Sequence, residues 1–219
     1  FYSQTPISAI VTGGGDSTSS ENELTKNAPT NSDLWTASGN YATSFAGGDG
    51  QSEATAYQIS TPEQLARLAY LVNNGSEQYM FSNTYFVQTA DIDLSAHYWD
   101  AIGVYTSSSE YQAFAGTYDG GNFTISGLYT KSGSSSTYDY QGLFGYVEGR
   151  SSSIRASIKN IGIIDSNVQG YEYVGGVVGH AWYSTITNCY NTGNITGNSE
   201  VGGVVGYAGY STITNCYNT

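Results

Sequence analysis

The sequence predicts an all-β solenoid, a fold in which coils of about 27 residues stack on one another. The segment Val174–Gly179 returns 27 residues later as Val201–Gly206, and Ser184–Thr192 returns as Ser211–Thr219. Repeats of about 20–50 residues are typical of solenoids. Apolar residues between positions 85 and 128 recur with period two, which indicates strands. These two observations together predict the fold class.

The composition excludes two classes of partner. The 219 residues include only 6 Lys and Arg against 18 Asp and Glu, a formal net charge of −12 at pH 7. Proteins that bind a nucleic-acid backbone need clustered cations, and so do proteins that bind an anionic membrane surface. The sequence also lacks the run of about 18 apolar residues that a membrane span requires. We therefore expect neither a nucleic-acid partner nor a membrane-spanning segment.

The N-terminal part of the chain predicts a linker. The chain begins at Phe1 and carries no signal-like segment of its own, so we expect a processed or excised piece of a longer protein. Residues 1–34 are rich in Gly, Ser, Thr and Asn, as an extended linker would be. A short apolar stretch containing Ile7, Ile10 and Val11 supports an alternative, an arm that adds a strand to a neighbouring sheet edge.

Two folded regions are predicted after the linker. Residues 35–130 should form an N-terminal cap and the first irregular coils. Residues 131–219 should form the regular repeats, open at the C-terminal end. The Ser-rich stretch 131–139 predicts a loop that bulges from one coil, and from residue 141 the coils become regular.

One helix is predicted before the coils, over about residues 62–74. Thr61 suits the N-cap, Pro62 suits the first helical position, and Gln64 completes a capping box. Asn73–Gly75 predicts a left-handed cap at its end. An apolar stripe is formed by Leu65, Leu68 and Val72. We expect this helix to cover the first coil, whose edge would otherwise be bare.

Residues one repeat apart should lie on neighbouring coils. Ile161 falls in the slot of Cys189 one coil earlier, which predicts that this slot is buried and apolar. Cys189 and Cys216 should stack about 4.8 Å apart, either as a ladder of buried thiols or as a disulfide. Asn188 and Asn215 should form an asparagine ladder at a corner of the coil.

The repeats resemble the GLUG-motif repeat family. Its glycine–aliphatic–aliphatic–glycine core is matched at Gly142–Gly145, Gly176–Gly179 and Gly203–Gly206. The upstream region is similar to the block that commonly precedes such repeats in bacterial surface proteins, and the resemblance covers residues 35–219. The matching upstream segments are Phe45–Gly50, Tyr57–Ile59, Gln64–Leu68, Val72–Asn73, Asp91–Leu94, Trp99, Ile102–Gly103 and Phe114–Gly120.

The resemblance implies a right-handed parallel β-helix from an extracellular or cell-surface bacterial protein, often adhesin-like. Such repeats also occur in long proteins that carry an immunoglobulin A metallopeptidase domain. That peptidase needs a His-Glu-x-x-His helix to bind zinc. The only histidines here are His97 and His180, and neither lies beside a Glu. We therefore expect no peptidase activity from this chain.

Asp91 and Asp93 are the best-spaced carboxylates in the sequence, two residues apart, and Asp100 and Asp119 could lie on adjacent coils. Three interpretations remain open for them. They could bind calcium, the one candidate cofactor, through oxygen ligands. They could perform acid–base hydrolysis of a glycoside. They could also cap turns by accepting backbone N–H groups.

Aromatic residues are the second candidate surface. Rows of exposed rings bind sugar faces or flat protein surfaces, because each ring buries a large area at a small cost in entropy. Stacked rings also simply stabilise a sheet, so both interpretations stay open. The rings concerned are Trp182, Tyr183, Tyr190, Tyr207, Tyr210 and Tyr217.

The function that we expect is non-enzymatic: an extracellular bacterial module that adheres to a glycan or protein ligand or serves as a surface stalk. One alternative is a fibre subunit that binds copies of itself. Its joint would be the open last coil, with Cys216 and Thr219, together with the N-terminal arm. A carbohydrate-active enzyme is the other alternative.

Overall fold

The computed structural model describes residues 29, 31–75, 79–107, 110–131, 133 and 135–219. Ile7, Ile10 and Val11, proposed above as a strand-donating arm, lie outside the described residues, as do most of residues 1–34. The described chain is mainly strands with one α-helix, which confirms an all-β fold. No helix in this described part is long and apolar enough to cross a membrane.

The helix α1 spans Pro62–Asn73, and two short 3₁₀ helices span Glu53–Thr55 and Ser136–Tyr138. The strands in chain order are β1 Tyr57–Ile59, β2 Tyr79–Met80, β3 Tyr85–Gln88, β4 Ile92–Asp93, β5 Val104–Ser107, β6 Glu110–Phe114, β7 Thr117–Asp119, β8 Thr124–Ser126, β9 Phe144–Glu148, β10 Ala156–Lys159, β11 Gly162–Ile164, β12 Asn167–Gln169, β13 Glu172–Gly175, β14 Val178–Trp182, β15 Ser184–Thr187, β16 Tyr190–Asn191, β17 Asn194–Thr196, β18 Ser199–Gly202, β19 Val205–Gly209, β20 Thr212–Thr214 and β21 Tyr217–Asn218.

Parallel pairing organises these strands into three larger sheets. The first sheet holds β1, β3, β7, β10, β15 and β20, and the second holds β4, β8, β11, β16 and β21. The third holds β2, β6, β9, β14 and β19, and two small sheets pair β12 with β17 and β13 with β18. The chain visits the first, second and third sheets in turn and then returns to the first, one position further along. We call each such passage a coil. The hairpin β5–β6 is the antiparallel exception among the named strands.

The pairing register confirms the repeat of 27 residues. Val174 pairs with Val201, and Ile186 pairs with Ile213. Upstream the step is less regular, because Phe144 pairs with Val178, which lies 34 residues further along the chain. The repeat in the sequence is therefore a repeat of paired strands in space.

A column of apolar side chains runs along the first sheet. Phe86, Tyr118, Ile158 and Ile186 pair rung by rung, and each is buried. Ile213 occupies the next rung and is 45 % exposed, because no further strand of the described chain lies over it. Burial of each side chain therefore depends on the coil that follows, as the physics of stacked repeats requires.

The helix begins as predicted and ends differently. Thr61 caps it by accepting the N–H of Gln64. The Gln64 side chain accepts the N–H of Ser60 at 2.8 Å. The predicted left-handed cap at Asn73–Gly75 is wrong, since Asn74 has φ −110°. Its backbone N–H and its side-chain amide both donate to the Tyr70 carbonyl, so that carbonyl is satisfied without a left-handed residue.

The helix covers one end of the stack. The strands on either side of it, β1 and β2, pair with β3 and β6 of the next coil, so α1 lies over that coil. Its Asn73 side chain bonds to Ala101 and Gly103 in the same coil. Leu65 and Leu68 enter the continuous core. This is the covering role that the sequence predicted.

The asparagine ladder is confirmed and is longer than predicted. Asn160, Asn188 and Asn215 turn corresponding corners of three coils, all with φ between 52° and 57°. Each side chain donates to the one before it, Asn188 to Asn160 at 3.0 Å and Asn215 to Asn188 at 3.2 Å. Asn160 in turn donates to Asp119. Asparagine suits these corners because it tolerates left-handed backbone and bonds its neighbours.

Candidate functional site: an aromatic face and an adjoining cavity

The largest concentration of aromatic rings lies on and beside the third sheet. We call it the aromatic face. The packing of its rings is connected throughout, with centroids 4.8–6.5 Å apart between neighbours. Its members are Tyr105, Tyr111, Tyr140, Tyr146, Tyr173, His180, Trp182, Tyr183, Tyr207 and Tyr210.

The central row of this face contains one ring from each of three paired strands. Tyr146 of β9, His180 of β14 and Tyr207 of β19 occupy the same rung position. His180 stacks on Tyr146 at 4.9 Å and 17°, and on Tyr207 at 4.8 Å and 16°. Tyr146 and His180 were missed by the sequence reasoning. The signal was available, since each ring directly follows the last glycine of a Gly-x-x-Gly core.

A second row lies beside the first. Tyr140 stacks on Tyr173 at 4.8 Å and 16°, and Tyr173 meets Tyr207 edge to face at 5.9 Å. Both Tyr140 and Tyr173 have positive φ, 58° and 55°. Residues with large side chains rarely adopt this backbone conformation, so the two corners are held by the packing around them.

The predicted residues Trp182, Tyr183, Tyr207 and Tyr210 form the outer part of the aromatic face. Trp182 packs parallel to Tyr207 at 10° and meets Tyr210 edge to face at 4.8 Å. Tyr183 stacks on Tyr210 at 5.1 Å. The Trp182 ring covers Gly209 so closely that a Cβ there would lie 2.1 Å from it. Tyr207 is 38 % exposed and Tyr210 65 % exposed, so this part of the face meets solvent.

The other two predicted rings lie elsewhere. Tyr190 and Tyr217 pair in the second sheet and stack at 5.2 Å and 6°. Tyr190 covers Gly162 in the preceding coil. Tyr217 is 55 % exposed on the last rung. The six rings predicted as one surface therefore divide between two sheets, and only four of them belong to the aromatic face.

The aromatic face is uncharged at neutral pH where its rings are most buried. Burial lowers the pKa of His180 to about 4, so its imidazole is neutral. Its Nδ1 atom is buried and has no hydrogen-bond partner among the described residues. Burial is the main cause that raises the pKa of Tyr146, and the nearby Glu148 raises it further. Burial also raises the pKa of Tyr140. The rows therefore present neutral rings.

A cavity of about 470 Å³ adjoins the aromatic face, and the sequence did not predict it. It lies between the β5–β6 hairpin, the 3₁₀ turn at Ser136–Tyr138 and the end of α1. This volume falls in the range of roughly 300–1,000 Å³ that is typical of ligand pockets. Its lining comprises Asn73, Asp100, Ala101, Gly103, Val104, Tyr105, Thr106, Ser136, Thr137, Asp139, Tyr140 and Gln141.

The predicted carboxylates Asp91 and Asp93 both accept backbone N–H groups, Asp91 from the next coil and Asp93 from its own turn. Asp91 accepts both the N–H and the hydroxyl of Thr124, at 2.8 and 3.0 Å, and these bonds lower the pKa of Asp91. Asp93 accepts the N–H of Ser95 at 2.9 Å. Over the described ranges, no three His, Cys, Asp or Glu side chains converge as a metal site. The geometry therefore matches the turn-capping interpretation, and calcium binding stays a prediction.

Asp100 and Asp119 have separate surroundings. Asp100 accepts the hydroxyl of Thr36 and lines the cavity, where burial raises its pKa. Asp119 accepts the Asn160 amide at 3.0 Å and pairs with Lys159 at 3.4 Å. Lys159 also pairs with Glu53 at 2.9 Å. Asp119 is thus part of the corner ladder, whereas Asp100 belongs to the cavity.

The two cysteines are free thiols stacked one coil apart. Cys189 is buried in the slot that Ile161 fills one coil earlier, and Ile161 is buried too, as predicted. Each sulfur approaches the carbonyl two residues before it at 3.3 Å. A hydrogen bond from the Cys189 thiol lowers the pKa of Cys216 to about 6, while that bond and burial raise the pKa of Cys189. The thiol-ladder alternative describes this arrangement.

Cys216 and Thr219, proposed above as assembly residues, lie on the last coil. The Thr219 N–H donates to the Asn191 carbonyl at 3.2 Å, and Cys216 is half-buried. The role of Cys216 and Thr219 in assembly stays a prediction.

Comparison with known proteins gives a family match and one solved structure. The GLUG motif matches residues 170–196 and 197–219. The structural match is the crystal structure of a putative immunoglobulin A1 protease from Bacteroides ovatus, at 14 % identity and a TM-score of 0.40. That match covers 80 % of this chain and 78 % of the other. No curated protein matches the chain. Residues 170–219, which carry six of the ten rings of the aromatic face, therefore match the GLUG motif.

Proposed function

We propose that this protein is a non-enzymatic binding module of the bacterial exterior. In this proposal the stacked coils form a right-handed parallel β-helix that displays the aromatic face to a glycan or a protein surface. The module would act in adhesion or as part of a surface stalk. The connected rows of rings around His180 are the observation that carries the proposal.

The geometry of the rings supports binding. Trp182, Tyr207 and Tyr210 are held by stacking on their neighbours before any ligand arrives. A ligand would therefore immobilise little that is not already ordered, and ordering side chains is one of the main costs of association. Tyr and Trp also combine a broad apolar face with a polar edge, which suits sugars and mixed protein surfaces.

The net charge of the chain narrows the range of ligands that the protein could bind. A net charge of −12 opposes polyanions such as nucleic acids and sulfated glycans. A neutral glycan, or a protein surface that is neutral or basic, is compatible with it. We infer that neutral glycans are the first ligands to test.

The carboxylates support a non-enzymatic role. Asp91 and Asp93, the pair best spaced for acid–base chemistry, accept hydrogen bonds from the residues that follow them or from the next coil. The bonds from Thr124 lower the pKa of Asp91, whereas a general acid must hold a proton near neutral pH. The sequence also lacks a His-Glu-x-x-His segment, so the proposal does not include zinc peptidase activity.

Affinity electrophoresis in gels containing neutral polysaccharides tests the proposal. The double variant Trp182→Ala/Tyr207→Ala should weaken retention about tenfold or more, as expected when central aromatic contacts are removed. Tyr217→Ala is the matched control, because this exposed ring lies in the second sheet, and it should bind like the wild type. Retention of the double variant at wild-type strength, with an unchanged melting temperature, would contradict the aromatic face as the binding surface.

Self-association is a second candidate, favoured by the exposed last coil. Val201 and Ile213 are 44 % and 45 % exposed, although their counterparts Val174 and Ile186 are fully buried. An exposed apolar strand edge is a template for pairing with another chain. Sedimentation velocity should then show concentration-dependent oligomers of the wild type that Ile213→Lys removes. Monomers of wild type at all concentrations would exclude this candidate.

A further inference from the structure

We propose that the cavity beside the aromatic face binds one neutral sugar residue of a glycan chain, with Tyr105 and Tyr140 as its aromatic walls and Asp100 and Asp139 as its hydrogen-bond acceptors. This inference deepens the proposed function and rests on it for the premise that the ligand is a glycan. The cavity lies where two insertions leave the coils, the β5–β6 hairpin and the loop ending at Asp139. Insertions in repeat proteins commonly gather on the binding face.

The floor of the cavity is held in place by the helix. Asn73 at the end of α1 donates to the Ala101 carbonyl at 3.0 Å and accepts the Gly103 N–H at 2.8 Å. Gly103 has φ +88°, and a Cβ on it would lie 2.2 Å from the Tyr146 carbonyl oxygen. Only glycine fits there without displacement. The segment below the ligand is therefore fixed before binding, as a specific site requires.

The aromatic walls join the cavity to the aromatic face. The Tyr105 and Tyr140 rings lie 5.2 Å apart at 41°. Both pack against Tyr146, at 5.2 and 5.7 Å, and Tyr140 stacks on Tyr173. A glycan that lies along the rows of rings would thus reach the cavity without a break. Rings of this kind take up the apolar C–H face of a sugar while its hydroxyls point elsewhere.

The polar lining suits hydroxyl donors. Asp139 accepts the Glu172 N–H through Oδ1 at 3.1 Å, and Asp100 accepts the Thr36 hydroxyl. A carboxylate has about four lone-pair positions, so each retains capacity for further donors. The Gln141 amide bonds the Asp139 carbonyl at 2.9 Å and steadies that loop. Two carboxylates set against aromatic walls are the acceptors that sugar hydroxyls would meet.

The surrounding charges favour a neutral ligand over an anion. The lining has no Lys or Arg among its described residues, which leaves an anionic sugar without a partner. Lys131 acts on Asp100 electrostatically and opposes part of the rise that burial causes in the pKa of Asp100. A neutral sugar would keep this balance unchanged. Hydrogen bonds from neutral donors to carboxylates are strong enough to select it.

Saturation-transfer NMR and calorimetry with methyl glycosides test the inference. The probes are neutral methyl hexosides and N-acetylhexosaminides, with a methyl hexuronide and lysine methyl ester as charged comparisons. At least one neutral glycoside should bind the wild type. The variant Thr137→Trp, which fills the cavity from an exposed lining residue, should weaken that binding more than tenfold. Ser152→Trp, an exposed serine in another loop, is the matched control and should bind normally.

Asp100→Asn checks the acceptor role without filling the cavity. This substitution keeps the shape of the side chain and its contact with Thr36, and it should weaken binding of the neutral glycoside about tenfold. Binding of lysine methyl ester alone, or binding unaffected by Thr137→Trp, would overturn the inference. The same result would leave the proposed function intact if polysaccharide retention still required Trp182 and Tyr207. Loss of polysaccharide retention in Thr137→Trp alone, with Trp182→Ala/Tyr207→Ala unaffected, would instead support the cavity and contradict the wider face.

Discussion

The first coils and the last coils of this protein bury their cores in different ways. From residue 141 onward most buried inward positions hold aliphatic residues that recur at the same rung, such as Ile158 and Ile186. Before residue 130 the core contains large rings, among them Trp99 and Phe114. Its buried polar groups form hydrogen bonds that do not recur from coil to coil. The regular coils therefore repeat one packing arrangement, whereas each irregular coil has a packing arrangement of its own.

This difference explains where the cavity lies. The regular coils pair in register at a constant step of 27 residues, because each strand meets a strand of closely similar sequence. The irregular coils must accommodate α1, the β5–β6 hairpin and the turn at Ser136–Tyr138, and the cavity is enclosed by these three insertions. The regular coils supply a surface, and the irregular coils supply a concave site.

The largest difference in stability should come from the irregular core. Trp99→Ala should lower the free energy of unfolding by about 3–5 kcal/mol, because Trp99 is buried and its indole N–H bonds the Leu143 carbonyl. Ile186→Val, which removes one methyl group from a buried position of the regular coils, should cost only about 0.5–1.5 kcal/mol. Denaturant unfolding of both variants measures this. Equal costs would mean that the two cores do not differ as described.

The next largest effect is a pH dependence of stability that arises from His180. Its pKa is about 4 in the folded protein and about 6.5 in the unfolded chain. Between these values the unfolded state binds more protons, so the free energy of unfolding falls as the pH is lowered from about 6.5 to about 4. The loss should be on the order of 3 kcal/mol.

His180→Tyr is the matched variant for this test, since Tyr fills the same rung in the coils on either side. Urea unfolding at a series of pH values should show a difference between wild type and variant that grows as the pH falls through this window. A difference that is constant from pH 7 to pH 4 would show that His180 titrates normally in the folded state.

The corner ladder should have a smaller effect. Asn188→Ala removes two ladder bonds and places alanine at φ 54°, and it should cost about 2 kcal/mol. Asn188→Gly removes the same bonds but tolerates the backbone, and it should cost about half as much. Thermal unfolding of the two variants separates the ladder from the backbone preference. Equal costs would assign the whole effect to the side-chain bonds.

The smallest effect on stability concerns the two thiols, which should differ from each other in their rate of chemical labelling. Because the pKa of Cys216 is about 6 and Cys189 is buried, a maleimide at pH 7 should label Cys216 first. Cys216→Ser should then react slowly, whereas Cys189→Ser should still be labelled at Cys216 but more slowly than the wild type, because the Cys189 thiol that lowers the Cys216 pKa is gone. Mass spectrometry of the labelled peptides gives the answer. Preferential labelling of Cys189 would contradict the burial of its thiol.

The regular half of the fold could be predicted because its information is repeated in the sequence. Val174 and Val201 occupy identical positions in two copies of one motif, and such copies can pair only in register. The helix was predictable from Thr61 and Pro62, and the corner ladder from Asn188 and Asn215. Each of these signals is local or periodic, and both kinds can be read without knowing what packs against the segment.

The candidate site could be predicted only in part. Trp182, Tyr207 and Tyr210 were identified because they recur or lie near recurring residues. The cavity was not, because Tyr105 and Tyr140 come from two insertions that share no period and are joined only in three dimensions. The end of the helix was mispredicted for a different reason, since a local bond from the Asn74 side chain to the Tyr70 carbonyl, four residues back, accompanies an end without a left-handed residue.

Fluorescence quenching of Trp182 is the most direct test that the aromatic face binds a ligand. Trp35 and Trp99 are buried, so acrylamide in the folded protein should quench mainly the half-buried Trp182. A polysaccharide that retains the protein in affinity electrophoresis should reduce the quenching constant as it covers this ring, and Trp182→Phe should remove the change. An unaltered quenching constant at saturating polysaccharide would contradict the proposal that the aromatic face is the binding surface.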